Sequence, residues 1–290
     1  MDKEAFKKIR RIQIKTLRDV KDLFLGAYRS TFRGRGLEFE DVREYEPGDD
    51  VRHIDWNVTA RSTGTYVKRF REERELTVML IVDISASTRF SHTEKLKSQV
   101  IAEIAALIAF SAIKNQDKVG LLLFSDQVEL YLPPRKSVRH VLRVIREILF
   151  FQPKGRGTKL SEALTFLGKV QRRQAICFLL SDFLTDDFRH EAALLSQRHE
   201  LIALQIYDLH ERVLPEMGFA TLFDLETHVF SFIDTGDESV RLKYQEEAKK
   251  RAVILKRMLQ KIDAALLAIP TDGSYLHVLQ HFFQRRKRRA

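Results

Sequence analysis

The chain contains a single cysteine, Cys177, set inside an apolar run. One thiol cannot form an internal disulfide, so a disulfide framework is excluded and Cys177 reads as a small buried hydrophobe in a reducing, cytoplasmic setting. No stretch reaches the roughly eighteen uninterrupted apolar residues of a membrane span. The nearest candidate, 101–113, is too short and is broken by Glu103. The basic N-terminus is followed by neither an apolar core nor a small-residue cleavage site, so no signal peptide is expected. The histidines are scattered, and none has the spacing of a zinc site. Internal repeats are absent, and the only biased segment is a basic stretch at the C-terminus.

That stretch accounts for much of the net charge of +10: Arg285, Arg286, Lys287, Arg288 and Arg289 supply five of the ten charges. Residues 1–75 carry 18 Lys/Arg against 15 Asp/Glu, a surplus of only three. The charge therefore does not make this a DNA-binding protein. It is consistent with a solvated tail (285–290), or with peripheral contact to acidic surfaces, lipid headgroups or nucleic acid.

What is present is an alternation of strand and helix from residue 76 onward. The run Leu76-Thr77-Val78-Met79-Leu80-Ile81-Val82 has the length and β-branched content of a strand buried on both faces. Further strands are expected at 119–124, 127–132, 175–180, 201–207 and 264–269, with a hairpin over 219–233 turning at Glu226-Thr227. Pro133-Pro134 should close the strand 127–132 and place it at a sheet edge. Helices are expected over 91–114 (capped by Thr93), 137–150, 159–169, 186–197, 237–262 and 275–283. This pattern predicts an α/β domain over 76–284 with a doubly wound, mostly parallel sheet.

Residues 1–75 follow a different pattern. A basic amphipathic helix ending at Gly26 is expected, then a charged, β-rich arm with a turn at Pro47-Gly48. Apolar positions including Tyr45, Ile54, Trp56 and Val67 predict an ordered arm that packs on the main domain. The dense charges around Trp56 (Tyr45, Asp49, Asp50, Arg52, Asp55 and Arg61) make this block a candidate partner-binding surface, against the simpler reading of a solvated arm.

Chemistry is concentrated where the first long strand stops, at Asp83-Ile84-Ser85-Ala86-Ser87. Ligands of open α/β sheets bind at the carboxyl ends of strands. Thr158, in the Gly-rich turn Lys154-Gly155-Arg156-Gly157-Thr158, and Asp182, after the strand 175–180, should lie at the same edge. Asp83, Ser85, Ser87, Thr158 and Asp182 thus form a candidate site of oxygen donors. This set favours Mg2+, or Mn2+ or Ca2+, over zinc. With two anionic ligands, such a site stays electrophilic enough to accept a carboxylate from a protein partner.

Simpler and rival readings bear on the same residues. Asp83, Ser85 and Ser87 could merely cap the following helix. Gly155-x-Gly157-Thr158 lacks the Gly-Lys-Ser/Thr ending of a phosphate-binding loop. A magnesium-dependent phosphotransfer enzyme would use Asp83 as nucleophile, with Asp186 or Asp187 completing its metal site. Such chemistry needs a general acid two residues beyond the nucleophile, where this chain has Ser85. A basic membrane- or nucleic-acid-binding module would rest on the N-terminal helix and the Arg tail.

In order and loop placement, Asp83-x-Ser85-x-Ser87, Thr158 and Asp182 resemble the metal-ion-dependent adhesion site of von Willebrand factor A domains. An upstream block adds specificity: Gly36-Leu37-Glu38-Phe39, Arg43-Glu44-Tyr45, Pro47-Gly48-Asp49-Asp50, Arg52-His53-Ile54-Asp55-Trp56, Ala60-Arg61 and Val67-Lys68. Together they resemble the MoxR-associated family catalogued as domain of unknown function fifty-eight, over roughly residues 25–284. The resemblance implies an A-domain fold, no enzymatic activity, and a role as adaptor for a MoxR-type AAA+ ATPase in chaperone-like maturation of protein complexes. It further implies that Asp83, Ser85 and Ser87 ligate the metal from the first loop, Thr158 from the second and Asp182 from the third. Longer relatives carry membrane-spanning segments, and this chain resembles the short soluble form.

Overall fold

The computed structural model describes residues 38–71, 75–93, 95–226 and 228–287. The expected N-terminal helix and the last residues of the tail lie outside them.

The long apolar run forms β3 (Thr77–Asp83), preceded by the arm strands β1 (Glu38–Glu44) and β2 (Tyr66–Arg71). β3 lies in the middle of a six-stranded sheet with β4 (Lys118–Phe124), β5 (Val128–Arg135), β6 (Ile176–Ser181), β7 (Glu200–Tyr207) and β10 (Ala265–Pro270). Their spatial order is β10-β7-β6-β3-β4-β5, with every pairing parallel except β4 with β5. Numbered within the sheet this is 3-2-1-4-5-6, the order of a doubly wound α/β fold. The expected doubly wound, mostly parallel sheet is the one observed.

Side-chain alternation along the central strands builds two cores. Val78, Leu80 and Val82 join Leu121, Leu123, Phe178 and Leu180 on one face. Met79 and Ile81 join Leu122, Phe124, Cys177 and Leu179 on the other. All are sealed from solvent, and each side chain of this size contributes about 1.5–3 kcal/mol on burial. The first face is covered by α2 (Lys97–Lys114), α3 (Val138–Phe150) and α7 (Tyr275–Lys287). The second is covered by α4 (Leu160–Val170), α5 (Arg189–Ser196) and α6 (Glu238–Lys261). Gly120 is required at the centre of β4, because a Cβ there would stand 2.5 Å from Met79 Sδ and 3.1 Å from the Leu132 carbonyl. Among the described residues no helix is long and apolar enough to cross a membrane.

Several boundaries differ from expectation, each for a local reason. The helix expected from 91 begins at Lys97, because Ser91 and His92 are held by tertiary bonds and Thr93 by a local one. Ser91 Oγ and the His92 amide donate to Asp208, and Thr93 donates to the Lys95 carbonyl instead of capping. β5 continues through Pro133 and Pro134 to Arg135, which an edge strand tolerates because one side of its backbone has no ladder partner. The helix expected at 186–197 starts at Arg189, with the Asp187 carboxylate accepting from the Arg189 amide. The tail does not begin at 285 as free chain: Arg285, Arg286 and Lys287 extend α7, and Arg286 pairs with Glu200 at the start of β7.

The arm forms its own antiparallel pair, β1 with β2, which is a separate sheet. Asp55 caps the short helix α1 (Trp56–Thr59), accepting from the Asn57 and Val58 amides, and it approaches Lys68 Nζ at 3.7 Å. Asp49 holds Arg43 at 2.6 Å, and Asp50 holds its near neighbour Arg52. Val67 is buried as expected. Trp56 is not an apolar foothold, since 70% of it is exposed, and Arg61 is also exposed. Tyr45 is half-buried and its amide bonds the Thr65 carbonyl. The last two strands, β8 (Phe219–Phe223) and β9 (Phe230–Asp234), form the expected hairpin.

Candidate metal site

The order of the sheet reverses between β3 and β6, and a doubly wound fold opens its ligand crevice at the carboxyl ends of such neighbours. Asp83 is the last residue of β3, and Ser181 is the last of β6, with Asp182 following. Asp83 is buried; its Oδ1 accepts from the Ser85 amide at 2.9 Å and its Oδ2 from Ser181 Oγ at 2.6 Å. Ser85 and Ser87 hydroxyls lie 3.0 Å apart. Burial, and then the charge of Asp182, push the Asp83 carboxyl up to about 7, against hydrogen bonds from Ser181 and Ser85 that lower it.

Thr158 reaches the same rim on a loop fixed from below. Glu129 on β5 accepts the Lys154 and Gly155 amides at 2.9 and 2.8 Å, and Ser125 Oγ at 2.7 Å. The Lys159 amide donates to the Ser125 carbonyl, and the Ala86 amide donates to the Arg156 carbonyl, joining this loop to the one carrying Ser85 and Ser87. Gly155 is needed for the close approach, because a Cβ would collide with Asp126 and the buried Ser125 hydroxyl.

Asp182 is held by a group that sequence reasoning missed. Lys97, the first residue of α2, is fully buried with Nζ 2.7 Å from Asp182 Oδ2 and 2.5 Å from Glu211 Oε1. Burial alone would lower the Lys97 pKa, but the two carboxylates outweigh it and raise it. The Leu184 amide takes Asp182 Oδ1. Both oxygens of Asp182 are thus engaged, as are both of Asp83 through the Ser85 amide and Ser181 Oγ, and the hydroxyls of Ser85, Ser87 and Thr158 complete the oxygen set at this edge. A second missed residue is Glu226, at the hairpin turn: its Oε1 accepts from Thr158 Oγ1 at 2.8 Å. Neither residue lies in a motif, so only their three-dimensional placement reveals them.

The donor set suits a hard divalent cation. Every facing group is an oxygen, and a cation beside Asp83 would relieve the cost of ionising it in a dry site next to Asp182. Asp186 and Asp187, which a phosphotransferase would turn inward, are exposed, and Asp187 pairs with Arg189.

A second cluster, His92, Asp208 and His210, lies at the end of β7, with ligand atoms within 4.8 Å of one another. Asp208 there accepts from Ser91 Oγ, the His92 and His210 amides, His92 Nδ1 and Thr271 Oγ1. The two imidazoles stack with centroids 4.0 Å apart. With this many donors on one carboxylate, the cluster works as a staple between loops.

Residues 41–253, which include Asp83, Ser85, Ser87, Thr158, Asp182 and Glu226, match the family described as "Protein of unknown function DUF58". The chain belongs to this family. An uncharacterized protein of Mycobacterium tuberculosis is similar to it, at 28% identity over 285 residues, covering 97% of this chain and 90% of that protein. The uncharacterized protein YeaD of Bacillus subtilis is 26% identical over 151 residues, covering 52% of this chain and 36% of the relative. Among solved structures, the conserved hypothetical protein BatB from Bacteroides thetaiotaomicron is similar at 14% identity and a TM-score of 0.42, covering 74% of this chain and all of that one. A von Willebrand factor type A protein from Catenulispora acidiphila aligns at 10% identity and a TM-score of 0.39, over 77% of this chain and 43% of that one.

Proposed function

We propose that this protein is a metal-dependent protein–protein interaction module that captures an acidic side chain of a partner at the Asp83 site. The observation that supports this reading is a run of contacts at the carboxyl ends of β3 and β6: Asp83 accepts the Ser85 amide, the Ser85 and Ser87 hydroxyls lie 3.0 Å apart, and Ser87 and Thr158 both bond Glu226. A bound Mg2+, or Mn2+ or Ca2+ in its place, would supply an electrophilic point for that carboxylate. Asp83 would hold the cation by charge, Ser85, Ser87 and Thr158 by neutral oxygens, and Asp182 would act from behind, oriented by Lys97. Binding rather than catalysis is favoured because Ser85 stands where a phosphotransferase requires a general acid. The family resemblance makes a MoxR-type AAA+ ATPase, or its client, the partner to test, with the chain acting as its adaptor in the cytoplasm.

The experiment is a pulldown with that ATPase, using wild type, Asp83→Ala, and wild type with chelator. Recovery by metal-loaded wild type alone supports the reading. Equal recovery in all three arms would move the interface elsewhere, with residues 38–70 the next surface to test.

A further inference from the structure

The crevice already contains an acidic side chain, and it belongs to this chain. Glu226 Oε1 takes the Thr158 hydroxyl, while its Oε2 lies toward Gly157, 3.7 Å from where a Cβ on that glycine would stand. The Ser87 hydroxyl and the Asp182 charge act on the same carboxylate, whose pKa is raised chiefly by burial. Among the described residues no Lys or Arg forms an ion pair with it. A half-buried carboxylate facing two hydroxyls and another carboxylate lacks a cationic partner that the crevice itself is built to hold.

Its placement is structured. Glu226 lies in the turn between β8 and β9, where Asp224 Oδ1 accepts the Glu226 amide at 2.8 Å and the Asp224 carbonyl accepts the His228 amide at 2.9 Å. His228 adopts the left-handed region at φ 59°, and its Nε2 accepts from Arg156, on the loop that carries Thr158. The rest of the hairpin is weakly anchored: Phe219, Phe230 and Phe232 are 89, 63 and 86% exposed. Lifting the turn therefore sacrifices few buried contacts, as expected of a low-stability segment.

We propose that Glu226 is the resident acidic ligand of the Asp83–Ser85–Ser87–Thr158 site, occupying the position that a partner's carboxylate must take. This rests on the metal-site reading above, and it adds competition: a partner binds by displacing the β8–β9 turn.

The test uses the full-length protein and Mn2+ as probe, following water-proton relaxation. Wild type should bind Mn2+ with few exchangeable waters. Glu226→Ala should bind it about tenfold more weakly or worse, with a higher relaxivity per bound ion. Added acetate should lower the relaxivity of the Glu226→Ala complex toward that of wild type and leave wild type unchanged. Glu226→Gln, which keeps an acceptor for Thr158 and removes the charge, should show the same direction of change. If wild type binds Mn2+ but both variants match it in affinity, relaxivity and acetate response, the Glu226 assignment is wrong and the metal site stands. If folded wild type binds no Mn2+, the metal site itself is wrong, and the Glu226 assignment fails with it.

Discussion

Lys97 Nζ and Asp182 Oδ2 form an ion pair at 2.7 Å with both side chains essentially sealed from water. The ammonium is shared with Glu211, whose other oxygen accepts the Asp208 amide at 3.0 Å, so one buried relay links the ends of β6 and β7 to the start of α2. A lysine in the first turn opposes the helix dipole, so these two carboxylates are what justify its position.

Removing that ammonium should be costly. Lys97→Met leaves the buried Asp182 and the half-buried Glu211 without a counter-charge, and is expected to destabilise the fold by about 3–5 kcal/mol in denaturant titration. The double variant Lys97→Met/Glu211→Gln should lose less, because one stranded charge is gone. Wild-type stability in Lys97→Met would show that the pair contributes nothing.

Asp83 yields a prediction in pH. Its carboxyl titrates near 3.8 when unfolded and about 7 when folded. The folded state therefore binds the extra proton between those values. The stabilisation is full below about pH 4 and is lost as pH rises through about 7 in metal-free protein. Asp83→Asn cannot ionise, so with chelator present its stability relative to wild type should grow from pH 4 to pH 8, by on the order of 2–4 kcal/mol. A constant difference across that range would refute the raised pKa.

The parts legible in sequence were those with a period or a motif. β3 was visible as an unbroken apolar run because it is buried on both faces, and Asp83, Ser85 and Ser87 were visible because the strand ends there. Lys97 and Glu226 were not. Lys97 looks like any charged residue at a helix start, and its burial depends on partners 85 and 114 positions away. Glu226 was legible as a turn residue, but nothing local says that the turn folds back 68 positions to Thr158. The start of α2 was misplaced for a related reason: Ser91 and His92 answer to Asp208, more than a hundred residues later.

Glu129 should control the site from a distance. Burial would raise its carboxyl, but the Gly155 amide, Ser125, Gln127 and the Lys154 amide together hold it below the usual glutamate range. Glu129→Ala frees two loop amides and is expected to cost about 1–3 kcal/mol in thermal or chemical unfolding. It should also weaken Mg2+ binding by calorimetry, because Thr158 loses its fixed position. Glu129→Gln, which keeps an acceptor, should lose less of both. A variant that loses stability but keeps full cation affinity would separate the loop from the site.

Asp208 should show the opposite pH response to Asp83. Burial would raise its carboxyl, but the His92 and His210 amides, the His92 ring and Ser91 outweigh that and hold it at about 2, against 3.8 unfolded. Its contribution is therefore present above about pH 4 and lost as pH falls through 2, and is on the order of 2 kcal/mol at neutral pH. Asp208→Asn removes the charge, so its stability deficit should be largest at pH 7 and shrink between pH 4 and pH 2. Because Asp208 and Asp83 titrate in windows that meet only near pH 4, the two asparagine variants measured over one pH series separate the staple from the site. If the Asp208→Asn deficit stays constant down to pH 2, hydrogen-bond geometry rather than charge explains the staple.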